Sequence, residues 1–114
     1  MKKYVLLFLL FFSPIVSFAE YSSQLETSHF SIKIIENCSE GNVDCNNVSY
    51  IGTRKKDNAV IHLSGKTMNN PKTLDLQGYE FRNGNVVYYV YQNGTLEIMN
   101  GSKLLFSEDG EWEN

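Results

Sequence analysis

Residues 78–107 read GYEFRNGNVVYYVYQNGTLEIMNGSKLLFS, and this stretch decides the fold class. It holds four short runs rich in β-branched and aromatic residues, and an Asn-Gly pair separates each run from the next. Asn-Gly favours the positive φ angles of a type I′ turn, whose twist suits a two-stranded hairpin. The stretch therefore predicts a four-stranded β-meander that turns at Asn83-Gly84, Asn93-Gly94 and Asn100-Gly101. The predicted strands are Gly78–Arg82, Val86–Gln92, Thr95–Met99 and Ser102–Ser107.

Upstream of the meander the β pattern continues. Residues 29–35 alternate apolar and polar side chains with the period of two that is typical of a half-buried strand. Residues 48–53 and 59–64 flank a charged turn and predict a hairpin, whereas residues 65–77 show little periodicity and are expected to be a long connection. We therefore expect an all-β domain of roughly seven antiparallel strands, closed into a small barrel or folded into a sandwich, because a flat meander would leave open edges.

Residues 1–19 have the three parts of a cleavable signal peptide. Met1-Lys2-Lys3 is positively charged, Tyr4–Phe12 is an unbroken apolar run, and Ser17-Phe18-Ala19 puts small residues at the −3 and −1 positions of a cleavage site. The apolar stretch contains a proline and is shorter than the roughly 20 residues that a spanning helix needs. We expect export to the periplasm or to the outside of the cell, with no stable membrane insertion after cleavage.

Beyond the signal peptide the chain is small and acidic. Residues 20–28 are polar and are expected to be flexible, and residues 29–114 are expected to form a single β domain. All 13 acids but only eight of the ten bases lie beyond residue 19, which gives this part a net charge of −5. Binding to nucleic acid or anionic lipid depends on neutralising phosphates. We therefore expect no nucleic-acid partner, and a basic protein is the partner that this charge favours.

Cys38 and Cys45 are the only two cysteines of the chain. In an oxidising compartment such a pair predicts a disulfide, which would close a loop of about eight residues and contribute roughly 2.5 kcal/mol. No histidine lies nearby and the Cys-x6-Cys spacing is not typical of zinc or redox sites, so no metal site is predicted. The loop carries the acids Glu40 and Asp44. A cross-linked acidic loop binds a partner at a low entropic cost, so we expect both acids to contact the basic partner.

The predicted strand 86–92 contains three tyrosines. Alternation puts Tyr89 and Tyr91 on one face of the sheet and Tyr88, with Val90, on the other. One set is expected in the core. The other set is either buried as well, if both faces are covered, or an exposed aromatic patch that anchors a partner.

The sequence contains no set of residues that predicts catalysis or a cofactor. His62 and Ser64 lie two apart on one predicted strand face, where their side chains are about 7 Å apart, which is too far for a base to activate a nucleophile. A Gly-x-Ser-x-Gly motif is also absent from the sequence. We therefore expect a non-enzymatic protein that needs no cofactor.

The layout of the chain is similar to that of the small periplasmic inhibitors of lysozyme. The likeness lies in the plan, which comprises a signal peptide, about 100 residues, a small β-barrel and one disulfide, and no residue is carried over from it. The resemblance implies a protein-binding module that inhibits a cell-wall hydrolase, or an immunity protein against a delivered toxin. The alternatives are a barrel that binds a small ligand and a non-catalytic component of an envelope assembly.

Overall fold

The computed structural model describes residues 20–38 and 44–113, and every regular element in them is a β-strand. The predicted signal peptide, residues 1–19, and Glu40 therefore lie outside the described residues. The nine strands are β1 Glu20–Glu26, β2 Phe30–Asn37, β3 Val48–Arg54, β4 Val60–Asn69, β5 Leu76–Asn83, β6 Val86–Tyr91, β7 Thr95–Asn100, β8 Lys103–Asp109 and β9 Glu111–Glu113.

All the strands belong to one antiparallel sheet in the order β8-β7-β6-β5-β4-β3-β2-β1-β9. Strands β8 and β9 are two parts of one extended segment that bends at Gly110. The first part pairs with β7, and the second pairs with β1, where Trp112 lies opposite Leu25. Because one bent segment joins both edges, the sheet becomes a nearly closed barrel. The all-β prediction is confirmed, and the sheet is barrel-like rather than a sandwich.

The antiparallel order gives the barrel two different ends. The hairpin end carries the turns at residues 27–29, 55–59, 84–85 and 101–102. The disulfide end carries the Cys38–Cys45 disulfide, the 70–75 connection and the 92–94 turn. The two ends differ in charge and in the cavities that they enclose.

The barrel interior is filled by the inward-facing residues of the alternating strands. Phe81 is fully buried, and its ring lies against Tyr50 at 5.1 Å and against Tyr79 at 6.3 Å between ring centres. Aliphatic side chains that are almost completely buried pack around these rings. They are Leu25, Ile32, Ile34, Val48, Val90 and Leu96.

The meander reverses beside each Asn-Gly pair as predicted, but type I′ turns are wrong, because only the glycines and not Asn83, Asn93 or Asn100 have positive φ angles. Gly84, Gly94 and Gly101 all have positive φ angles, of 65°, 99° and 64°. These are the left-handed conformations that glycine adopts without steric cost. Turn chemistry is local, so the prediction did not depend on knowing the rest of the fold.

Two segments differ from the sequence-based expectation, and the strand count rises from roughly seven to nine. Residues 20–28 were expected to be flexible, but Glu20–Glu26 form β1, which is hydrogen-bonded to both β2 and β9. The expected long connection over residues 65–77 is also mostly strand, since β4 runs to Asn69 and β5 begins at Leu76. Both corrections have one cause, because partners distant in sequence impose strand geometry on segments whose own pattern is weak.

A carboxylate at the hairpin end makes the stability of the domain depend on pH. Glu26 accepts hydrogen bonds from the Ser31 hydroxyl and, at 2.8 Å, from the Gln24 amide, and Lys55 Nζ lies 3.0 Å away. These donors, Ser31 foremost, lower the pKa of Glu26 to about 2. The pKa of Glu26 in the folded protein lies below its value of about 4.3 in the unfolded chain. The contribution of Glu26 to the free energy of unfolding is therefore complete above about pH 4.3 and is lost as the pH falls towards 2.

We therefore expect Glu26→Gln to flatten the loss of stability between about pH 4.5 and pH 2. Urea unfolding at several pH values, followed by circular dichroism, measures this loss. Ser31→Ala should give part of the same change, because the serine hydroxyl is the largest cause of the shift. Identical pH slopes for the variants and the parent protein would contradict the assignment.

Candidate functional site

The disulfide predicted from the sequence is present and joins Cys38 to Cys45, with their Cα atoms 5.9 Å apart. The second cysteine is fixed to the barrel wall. The Cys45 amide donates to the Thr67 hydroxyl at 2.9 Å, and the Thr67 amide donates to the Cys45 carbonyl at 2.9 Å. The described parts of the loop are therefore anchored to β4 as well as cross-linked. A disulfide is compatible with an extracellular or periplasmic location.

A cleft of about 350 Å³ opens at the disulfide end, and we call it the acidic cleft. Its walls combine two aromatic rings and one aliphatic side chain with a hydroxyl group, an amide and a carboxylate. The lining residues are Ser23, Leu76, Tyr79, Gln92, Trp112 and Glu113.

Hydrogen bonds hold the aromatic residues of the acidic cleft in place. Tyr79 donates its hydroxyl to Glu36 Oε2 at 2.7 Å, and Trp112 donates Nε1–H to the carbonyl of Gln92 at 2.8 Å. Burial, followed by the bond to Glu36, raises the pKa of Tyr79 well above its ordinary value. The phenol therefore stays protonated at neutral pH and keeps the carboxylate oriented.

Three acids at the disulfide end form no ion pair with a described residue. Glu36, Asp44 and Glu113 take part in none of the ion pairs found in residues 20–38 and 44–113. The acids that do have a basic partner lie elsewhere on the barrel. Those pairs are His29–Glu108, Arg54–Asp57, Lys55–Glu26 and Arg82–Glu80. The carboxylates around the acidic cleft are therefore not neutralised by an ion pair within the described residues.

The three tyrosines singled out in the sequence do not meet the disulfide loop in one surface. Tyr89 and Tyr91 lie half-buried on the outer face of β6, where their rings stack at 6.0 Å. Tyr88 faces the barrel interior and contacts Tyr50. In the sheet order β4 and β5 separate β6 from β3, which follows the disulfide loop. Asp44 is exposed beside Cys45, so the tyrosines and the loop are separate candidates for binding.

The outer pair, Tyr89 and Tyr91, has acidic neighbours of its own. Tyr89 lies between Glu80 on β5 and Glu97 on β7, and Tyr91 donates its hydroxyl to Glu97 Oε1 at 3.1 Å. The role of both tyrosines in binding stays a prediction, because Glu80 is already paired with Arg82 and Glu97 with Tyr91.

The residues of the acidic cleft were not identified from the sequence, although one signal was present. Phe30, Ile32 and Ile34 follow the inward face of β2, and the same period of two continues to Glu36. A carboxylate on an inward face requires a buried or functional partner, because an isolated charge is costly to desolvate. Trp112 and Glu113 carried no such signal, since only the pairing of β9 with β1 brings them to this end.

The candidate pair His62 and Ser64 and possible metal ligands can be located in the described residues. His62 and Ser64 are both exposed on the outer face of β4, and no hydrogen bond joins them. Within residues 20–38 and 44–113, no three potential metal ligands cluster together. The same residues contain no helix that would be long and apolar enough to cross a membrane.

Comparisons with known proteins find no match for this chain among protein-family models, curated proteins or solved structures.

Proposed function

We propose that this chain is an exported protein-binding module whose disulfide end receives a basic protein. Export would follow from the signal peptide at residues 1–19, and the location would be the periplasm or the outside of the cell. The favoured role is inhibition of a cell-wall hydrolase of the lysozyme type, or immunity against a delivered toxin. No catalysis and no cofactor belong to this role.

The observation that carries the proposal is an aromatic cleft with carboxylates in or near it that form no ion pair with the described residues. Glu113 lines the cleft, Glu36 accepts the hydrogen bond of its Tyr79, and Asp44 lies next to the disulfide at the same end. Carboxylates without counter-ions attract a cationic partner over a distance and speed its encounter. The cleft then offers a place for one side chain of that partner to be buried.

A lysine or arginine side chain has the chemistry that fits this cleft. Charge-assisted hydrogen bonds from an ammonium or guanidinium group to Glu36 and Glu113 are stronger than bonds between neutral groups. The aromatic rings of Tyr79 and Trp112 also attract cations. The disulfide and the Cys45–Thr67 hydrogen bonds fix the neighbouring backbone, so little conformational entropy is lost on binding.

The proposal is tested by binding of residues 20–114 to basic lysozymes of several types, measured by surface plasmon resonance at low and at physiological salt. The double variant Glu36→Gln/Glu113→Gln keeps an acceptor oxygen at both positions and removes two charges. We expect it to slow association about tenfold at low salt and to weaken the dependence on salt, because exposed charges are screened within about 8 Å at physiological ionic strength.

Asp57→Asn/Glu108→Gln is the matched control, because it also removes two carboxylates, but beside the turns of the hairpin end, where they pair with Arg54 and His29. We expect a change of less than about twofold. An effect as large as that of the double variant would show that net charge, and not the acidic cleft, governs binding. If no basic lysozyme binds at micromolar concentration and low salt, the inhibitor role is wrong.

A further inference from the structure

A second cavity, of about 300 Å³, opens at the hairpin end, and we call it the hairpin-end cavity. Its walls are mainly apolar and include Phe30, Ile61, Tyr88 and Ile98. This volume lies at the lower end of the range of small-molecule sites and is larger than a cavity of about 150 Å³ that binds benzene. The cavity is thus large enough for a ligand with a single ring.

The cavity owes its shape partly to a glycine in β3. Gly52 lies beneath the ring of Tyr50, and a Cβ at position 52 would be only 2.7 Å from Cε1 of that ring. Any side chain at this position would push Tyr50 away from its place. The absence of a side chain lets the Tyr50 ring lie along its own strand and form one wall of the cavity.

Tyr50 brings a polar atom into these apolar surroundings. The residue is 2% exposed, and its ring is held between Phe81 and Tyr88, with centres 5.1 and 5.4 Å away. Its hydroxyl makes no hydrogen bond with any described residue. Every fully enclosed side-chain oxygen or nitrogen atom of the described residues has a hydrogen-bond partner. Because the Tyr50 oxygen has none, it is not fully enclosed and opens towards the cavity, which Tyr50 lines.

A hydrogen bond typically contributes about 0.5–1.5 kcal/mol net, so a ligand that accepts one from the Tyr50 hydroxyl gains over a ligand that cannot. Burial, and then the neighbouring Tyr88, raises the pKa of Tyr50 well above its ordinary value. The hydroxyl is therefore a donor throughout the neutral pH range.

The rim of the cavity does not select a charged ligand. Arg54 lies at the rim, but its Nε and Nη2 atoms donate to the two carboxylate oxygens of Asp57 at 3.0 and 2.8 Å. This bidentate pair uses the guanidinium group within the turn and neutralises its charge. An uncharged ligand therefore fits the site better than an anion.

We propose that the hairpin-end cavity binds a small uncharged molecule with one apolar ring and an oxygen that accepts a hydrogen bond from Tyr50. This function is separate from protein binding at the disulfide end, and it uses the opposite end of the barrel. The chemistry fits an aryl or cyclic ketone or ether, whose ring packs against Ile61, Tyr88 and Ile98.

The test uses acetophenone and its hydrocarbon isostere α-methylstyrene, which differ by the carbonyl oxygen. Both are titrated into residues 20–114 while the methyl signals of Ile61 and Ile98 are followed by nuclear magnetic resonance. We expect acetophenone to shift both signals and to bind about tenfold more tightly than α-methylstyrene, as a single hydrogen bond of about 1.4 kcal/mol would give.

Tyr50→Phe keeps the ring and removes the hydroxyl. We expect this variant to bind the two probes equally and to bind α-methylstyrene as the parent protein does. The matched control is Tyr89→Phe, which removes a phenol hydroxyl from the outer face of β6 and should leave the tenfold difference unchanged. Amide spectra establish that both variants remain folded.

Two results would overturn the proposal. One is the absence of any shift at Ile61 and Ile98 with either probe, which would mean that the cavity holds only water. The other is a tenfold difference that persists in Tyr50→Phe, which would place the recognised oxygen elsewhere.

Discussion

Phe81→Ala is expected to lower the free energy of unfolding by about 3–5 kcal/mol, which is the usual cost of deleting a buried phenylalanine ring. Phe81 is 0% exposed and contacts the rings of Tyr50 and Tyr79. These neighbours are attached to hydrogen-bonded strands, so they cannot move inward to fill the space. Since domains of this size are stable by only about 5–15 kcal/mol, a large fraction of the variant is expected to be unfolded near physiological temperature.

Urea unfolding followed by circular dichroism measures this loss. Tyr89→Ala is the control, because it also removes a ring from the meander but from the half-buried outer face of β6. We expect a loss there of about 1 kcal/mol, which is typical of a surface pair. Equal losses in the two variants would contradict the placement of Phe81 at the centre of the core.

Gly65→Ala is expected to cost about 3 kcal/mol, although it adds only one methyl group. Gly65 lies on β4 directly opposite Phe81 on β5. A Cβ at this position would overlap the backbone carbonyl oxygen of Glu80 and would lie 2.6 Å from Cδ1 of Phe81. A carbonyl within a sheet cannot turn away as a flexible side chain does, so β4 and β5 would have to separate.

Gly84→Ala is the matched control for this substitution. Its added methyl group has no atom within 4 Å, but the residue has a φ angle of +65°, so only backbone strain of about 1–2 kcal/mol is expected. The free energies of unfolding of the two variants are measured side by side. Gly65→Ala reports the steric cost of the close contact between β4 and β5, and Gly84→Ala reports the cost of backbone strain alone. If Gly65→Ala were as stable as Gly84→Ala, the assignment of a close contact between β4 and β5 at Gly65 would be wrong.

The sequence predicted those parts of the fold that local chemistry decides. Each Asn-Gly pair specifies its own turn, and the alternation in β2 specifies which side chains face inward, so these needed no knowledge of distant residues. Strand β1 could not be recognised in this way. Of its residues only Leu25 enters the buried core, and its strand geometry is imposed by pairing with β2 and β9.

The candidate site was less predictable than the fold, because its parts come from distant strands. The alternation in β2 could have marked Glu36 as a charge at an inward position, but its partner Tyr79 belongs to β5. Trp112 reaches the acidic cleft only because the chain bends at Gly110. The unpaired hydroxyl of Tyr50 depends on the missing side chain of Gly52, and this close approach between two residues of one strand leaves no periodic trace in the sequence.

The bend at Gly110 has a consequence for the order in which the protein folds. Strands β2 to β8 join neighbours along the chain, so these hairpins can form as soon as both strands are present. The pairing of β1 with β9 links the first and last strands of the described chain, and such non-local contacts form slowly because they close a long loop. Until they form, Leu25 lacks its cover from Trp112, and the uncovered edge of β1 is exposed to pairing with other unfolded chains. Any protein that holds unfolded chains apart would therefore matter most for the final closing step.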